Sequence, residues 1–108
     1  RGRHDELAVL SLDPRTENQL ATNVANAGAG GSIVVEPRLA EKLIRTLAPL
    51  ADEMYRQGRA PVLLCGAETR RQLRTLTRRS IPRLAIVSVN EIPMRINLKS
   101  FDIVRVDA

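Results

Sequence analysis

Aromatic side chains are almost missing from this chain. It has no tryptophan, and Tyr55 and Phe101 are its only aromatic residues. Leu, Val, Ile and Ala must therefore build the core, and no aromatic platforms are available to stack nucleic-acid bases. Cys65 is the single cysteine. That excludes a disulfide scaffold and any zinc site built on paired cysteines. One unpaired thiol suits a reducing compartment. His4 is the single histidine. It lies in a polar lead-in, so it supplies no base for a cysteine nucleophile. No apolar run approaches the ~20 residues that a membrane-spanning helix needs. No signal peptide is visible either. A soluble, cytoplasmic domain is expected.

A chain of 108 residues forms one domain (1–108) with one modest core. Hydrophobic residues make up 44% and charged residues 27%, which fits a globular protein and not a disordered one. The formal net charge is +5. Residues 68–83 contain six arginines and one glutamate, which is +5 by themselves. The rest of the chain is neutral, so the basic character belongs to one element.

Taken in order, residues 7–12 read as a strand. Asp13 and Pro14 then give a capping acid and a proline at the first helical position, and the helix should run to about residue 26. Its apolar positions are few and small, so it should pack shallowly. Residues 27–32, AGAGGS, form a loose connection. Residues 32–35 read as a second strand, and Glu36-Pro37 repeats the acid–proline helix start. The helix that follows carries Leu39, Leu43, Ile44, Leu47, Leu50, Ala51 and Met54 at three- and four-residue steps. Pro49 sits inside it and should kink or break it. Gly58 closes it. Residues 62–65 and 84–89 are short apolar runs, expected to be adjacent buried strands. Between them lies a helix with Thr69, Leu73, Leu76 and Ser80 in one narrow sector. Arg70, Arg71, Arg74 and Arg78 lie opposite, with Arg79 on the flank. Pro82 stops it. Residues 91–97 form a turn, and a last strand covers 98–106. Strict alternation there puts Phe101, Ile103 and Arg105 on one face. The fold expected is α/β: a mixed, mostly parallel sheet of four to five strands with three helices, in the order β-α-β-α-β-α-β-β. The last two strands suggest an antiparallel edge.

Few groups here could carry chemistry. The glycines at 28–31 precede a strand. A phosphate loop instead follows a strand and opens a helix, so a nucleotide role is not supported. Cys65 reads as a buried structural thiol. Asp13 and Glu36 are explained as helix caps, and the chain lacks the acidic cluster of a phospho-receiver domain. No catalytic, cofactor-binding or metal-binding residue is assigned, and no enzymatic activity is expected. The arginine face has several readings. It can be a solvated surface with a few internal ion pairs, a docking face for an acidic protein, a site of nonspecific nucleic-acid binding, or a membrane-surface contact. Arg70, Arg74 and Arg78 point away from the apolar sector and should be dispensable for folding.

Residues 60–93 also carry a pattern. Pro61-Val62-Leu63-Leu64 is followed by Arg70, by Leu73 and Leu76, by Pro82, and by Val87-Ser88-Val89-Asn90-Glu91-Ile92. This resembles the extreme C-terminus of the large export-gate subunit of type III secretion systems, the flagellar FlhA family. The acid–proline units at Asp13-Pro14 and Glu36-Pro37 look similar too, so the resemblance covers nearly the whole chain. Asn90-Glu91-Ile92 is its sharpest part. Val89 departs from it, because the family usually has tyrosine there.

The resemblance implies the last subdomain of the cytoplasmic half of a longer membrane protein. Such halves assemble into a ring and receive chaperone–substrate complexes and ATPase-complex proteins. Contact with the membrane would come only through an N-terminal part not in this sequence. The chaperone-binding groove of the family lies in earlier subdomains, so no chaperone-binding residue is carried over. Candidate protein-interaction residues are Arg70, Arg71, Arg74, Arg78, Arg79, Asn90 and Glu91. The expected function is non-enzymatic docking and ring assembly at a flagellar export gate, on the cytoplasmic face of the inner membrane. The alternatives are a basic nucleic-acid-binding α/β domain and a small-molecule-binding module.

Overall fold

A computed structural model describes residues 6–27 and 35–106. The elements are β1 (Glu6–Leu12), α1 (Pro14–Ala27), α2 (Pro37–Arg56), β2 (Val62–Cys65), α3 (Arg70–Ser80), β3 (Ala85–Ser88), a 3-10 turn (Val89–Glu91) and β4 (Asn97–Val104). Most of the loose connection, and residues 32–34 of the expected second strand, lie outside the described residues. Val35 is buried but is not in a strand.

Local chemistry sets the helix ends. Asp13 caps α1, with its carboxylate accepting from the Arg15 N–H at 3.2 Å. The Glu36 side chain caps α2 by accepting from the Leu39 N–H at 3.1 Å, and Pro37 follows at the first helical position. Gly58 closes α2 in the left-handed conformation at φ 79°. Its N–H donates to the Tyr55 carbonyl, and the Arg59 N–H reaches back to Met54. The expected break at Pro49 does not occur, and α2 runs through as one helix. Pro49 and Arg45 are both exposed, so the Arg45 carbonyl that the proline leaves unbonded stays open to water. Leu43, Leu47, Ala51 and Met54 hold the opposite side of α2 in the core.

The sheet has the strand order β3-β2-β1-β4. Every pairing is parallel. The expected neighbours β2 and β3 are paired from Val62↔Ala85 to Cys65↔Ser88. The antiparallel edge is not found. β3 and β4 occupy opposite edges, and β4 runs parallel to β1. Chain handedness gives the reason. From β1 to β2 to β3 the chain steps one way, with helices as crossovers. The step from β3 to β4 goes back the other way. Right-handed crossovers therefore put α2 and α3 on one face and residues 89–96 on the other. The distance fits. Six residues of axial offset and three strand spacings make a diagonal of ~25 Å. The nine steps from Ser88 to Asn97 reach ~30 Å at most. Turns closed by the Ile92 N–H on the Val89 carbonyl and by the Ile96 N–H on the Pro93 carbonyl use up the remaining slack.

This arrangement explains the burial. Leu10, Leu63, Cys65 and Ile86 meet the helices in the main core, with Leu20, Leu43, Leu47, Met54, Leu73 and Val104. Val9 and Val62 alternate with Leu10 and Leu63, and they are buried without belonging to that cluster. They lie on the face that the 89–96 connection crosses. In β4 the register shifts between Ser100 and Asp102, where β1 has consecutive residues. The extra residue is Phe101. Strict alternation therefore fails: Phe101 packs against the core with Val104, and Ile103 is left 43% exposed.

Candidate interaction surface

Helix α3 follows β2 after a four-residue turn. Thr69, Gln72, Leu73 and Thr77 are buried, and Leu76 is half-buried. Ser80 is exposed, contrary to the expected sector. The helix ends there, and Ile81 takes the next core position. Gln72 is an unexpected resident of the buried stripe. It is 1% exposed, and neither end of its amide has a hydrogen-bond partner among the described residues.

The start of α3 is held from α1. One Glu17 carboxylate oxygen accepts from the Thr69 hydroxyl at 2.9 Å and from the Gly66 N–H at 3.3 Å. Amides at such a junction would otherwise face an anion; here an internal carboxylate takes that place. Glycine at 66 keeps the approach open, because a Cβ would sit 3.1 Å from the same oxygen. Cys65 lies beside this cluster, 3% exposed. Burial, helped by the Glu17 and Glu91 carboxylates and opposed by a hydrogen bond with Thr69, pushes its thiol up to about 11. It is a buried thiol, as the sequence suggests.

Arg71, Arg74, Arg78 and Arg79 are exposed on the outer side of α3. None of the four makes an ion pair among the described residues. Among the described residues, the few internal ion pairs expected for this face are limited to one. That one is Arg70, which leaves the face. It is half-buried, with Nε 2.8 Å from Glu91 Oε1. The Nε–H is not aimed at the oxygen, so the contact is an ion pair rather than a hydrogen bond.

Glu91 is the centre of its own motif. The same Oε1 accepts from the Ser88 N–H at 2.8 Å and the Ser88 hydroxyl at 3.2 Å. The Ser88 backbone hydrogen bond comes first among the causes that hold the Glu91 carboxyl below its ordinary range, with Arg70 adding to it. Glu91 thus clamps the point where the chain leaves β3 for its crossing. Asn90 is exposed beside it. The seven candidate residues divide accordingly. Arg71, Arg74, Arg78 and Arg79 form one cationic face. Arg70 and Glu91 pair with each other at the carboxyl end of β3.

A second surface feature was not legible beforehand. The Arg83 guanidinium lies 4.0 Å over the Tyr55 ring, beside a cleft between α2 and the turn that follows α3. Its parts come from three chain segments, α2, Pro61 and residues 80–83, and only their meeting makes a site. Among the described residues, no group of three or more His, Cys, Asp or Glu could hold a metal ion. No helix is long and apolar enough to cross a membrane.

Comparison with known proteins agrees with this geometry. The flagellar biosynthesis protein FlhA of Bacillus subtilis is 26% identical over 101 residues, covering 94% of this chain and 15% of the relative. The putative truncated flagellar export/assembly protein LfhA of Escherichia coli K12 is 32% identical over 102 residues, covering 90% of this chain and 18% of the relative. The chain thus spans less than a fifth of the length of these relatives. Among solved structures, Chlamydia pneumoniae CdsV in complex with CdsO superposes with a TM-score of 0.70 at 22% identity, over 95% of this chain and 30% of the other. The nonameric EPEC SctV-C superposes with a TM-score of 0.67 at 21% identity, over 92% and 29%. These two show the fold. The FHIPEP family model matches residues 1–97. The chain belongs to the FHIPEP family.

Proposed function

We propose that this domain is a non-enzymatic docking and ring-facing module of a flagellar or type III protein export gate, the last subdomain of a longer polypeptide. The observation that carries the docking role is the face of Arg71, Arg74, Arg78 and Arg79, exposed and without an ion-pair partner among the described residues. Like charges stacked along a helix cost a few tenths of a kcal/mol per pair in the free domain. A partner that supplies carboxylates relieves that repulsion and gains long-range attraction. Such surface charge chiefly sets encounter rate and orientation. Family membership and the solved complexes of CdsV–CdsO and nonameric SctV-C support partners of two kinds, ATPase-complex components of the export apparatus and further copies of the same chain. The module would then act on the cytoplasmic face of the inner membrane.

The test replaces Arg71, Arg74 and Arg78 with glutamate together. The circular dichroism spectrum and melting temperature should stay nearly unchanged, because none of the three touches the core. In the full-length protein, flagellar export and swimming should fall. A triple variant that is folded, present at normal levels and fully motile would reduce this face to solvated surface. A tenfold preference for one DNA duplex at ~150 mM salt, measured by fluorescence anisotropy, would move the assignment to nucleic acid.

A further inference from the structure

The chain's only tyrosine is not in the core. Tyr55 is 50% exposed on the last turns of α2, and it borders a cleft of about 540 Å³. The floor is small and apolar: Ala48 and Ala51 from α2, and Ile81 from the end of α3. Three of the six prolines stand around it, Pro49, Pro61 and Pro82. Proline rings and helix positions have little freedom to lose, so the cleft is formed before anything binds. Flat C–H faces of proline and a tyrosine ring suit a planar or bulky apolar side chain. The volume is enough for one such side chain and its flanking backbone.

The charges at the rim select the partner. Asp52 is the only carboxylate in the lining, and it already faces Arg56 at 3.6 Å. Arg83 has no carboxylate among the described residues, only the Tyr55 ring. The cleft also continues the cationic face, since Arg78 and Arg79 lie in the last turn of α3 just before Ile81 and Arg83. Charged faces give speed and orientation, whereas a desolvated apolar pocket gives most of the binding energy. The four arginines are exposed, and the cleft beside the end of α3 supplies such a pocket. We infer that the cleft takes the bulky apolar anchor residue of an acidic protein segment, which docks along α3 with a carboxylate next to Arg83. This rests on the docking role of the arginine face and names where the partner is anchored.

The test follows backbone amide shifts of the 108-residue chain by NMR during titration with defined peptides. The first is acetyl-Glu-Glu-Phe-Glu-Glu-amide. The second has alanine in place of phenylalanine, and the third has lysine in place of each glutamate. The first should give saturable shifts centred on Ala51, Tyr55, Ile81 and Arg83, and the other two should bind at least about tenfold more weakly. Ala48→Phe, which fills the cleft, should abolish these shifts. Tyr55→Ala removes the ring without touching the core and should weaken binding even if Ala48→Phe fails to fold. No saturable shift at these residues by ~10 mM peptide, a regime of negligible affinity, overturns the inference. So does equal binding of the alanine peptide. The two readings separate cleanly. Cleft shifts together with full motility of the triple-glutamate variant keep the anchor site and remove the arginine face. Loss of motility with no cleft shifts does the reverse.

Discussion

Replacing Glu17 with alanine tests whether α3 is held in place from α1. The carboxylate accepts from the Thr69 hydroxyl and the Gly66 N–H. Hydrogen bonds to a charged group contribute about 1.5–3 kcal/mol each, and the longer 3.3 Å contact belongs at the low end or below. Thr69 is fully buried. Without Glu17 its hydroxyl is left with the long contact to the Gly66 carbonyl at 3.3 Å and with the Cys65 sulfur. A loss of about 3 kcal/mol follows. The unfolding entropy of about 2.1 cal/mol/K per residue amounts to about 0.23 kcal/mol/K for a chain of this size, so the melting temperature should drop by about 13 °C. Glu17→Gln keeps an acceptor in the same place and should lose less than half of that. Glu41→Ala is the control. It removes an exposed ion pair with Arg45 on α2, and such pairs matter little. Differential scanning calorimetry on the three variants decides the matter. If Glu17→Ala melts within about 2 °C of the parent, the carboxylate does not anchor α3, and the explanation of the Gly66 turn fails with it.

Gln72→Met should stabilise the domain by about 1 kcal/mol in urea denaturation, because it removes a buried amide without partners and keeps the volume. A destabilised Gln72→Met variant would mean that the amide is bonded in solution. The thiol of Cys65, raised from 9.0 to about 11, gives a pH signature. A group raised in the fold stabilises below its unfolded value, and that contribution is lost as pH climbs through the folded one. Between about pH 9 and 11 the parent should lose roughly 3 kcal/mol that Cys65→Ala does not lose. Parallel alkaline denaturation curves for the two would contradict the burial of the thiol.

The parts of the fold that were legible are those fixed by neighbours in the chain. Asp13-Pro14 and Glu36-Pro37 mark helix starts because a capping acid and a preset φ act over one turn. Gly58 marks a helix end for a similarly local reason. The apolar run at 62–65 cannot stay in water, so β2 was readable as an interior strand. What failed depended on distant residues. The edge taken by β4 is decided by crossover handedness, which no residue within β4 encodes. The bulge at Phe101 depends on register with β1. Pro49 reads as a break until its ring is seen on the exposed side of α2. At the candidate surface, helical periodicity found the four exposed arginines. It assigned Arg70 to them wrongly, because the partner that withdraws it, Glu91, lies beyond a whole strand. The cleft at Tyr55 was invisible for the same reason.

Of the two interior strands of this sheet, β1 precedes all its partners in the chain. β1 begins at Glu6, its neighbour β2 begins at Val62, and its other neighbour β4 begins only at Asn97. At a synthesis rate of about 5–20 residues per second, β1 stays without its second partner for some 5–20 seconds on the ribosome. During that time its backbone edge and Leu10 are open to any passing strand. A polypeptide without Asn97–Val104 keeps that hazard permanently, although α1, α2 and α3 are already present. β4 is therefore a guard as well as a strand: its pairing with β1 from Glu6↔Asn97 to Leu12↔Val104 covers the backbone edge on which a stray strand could add.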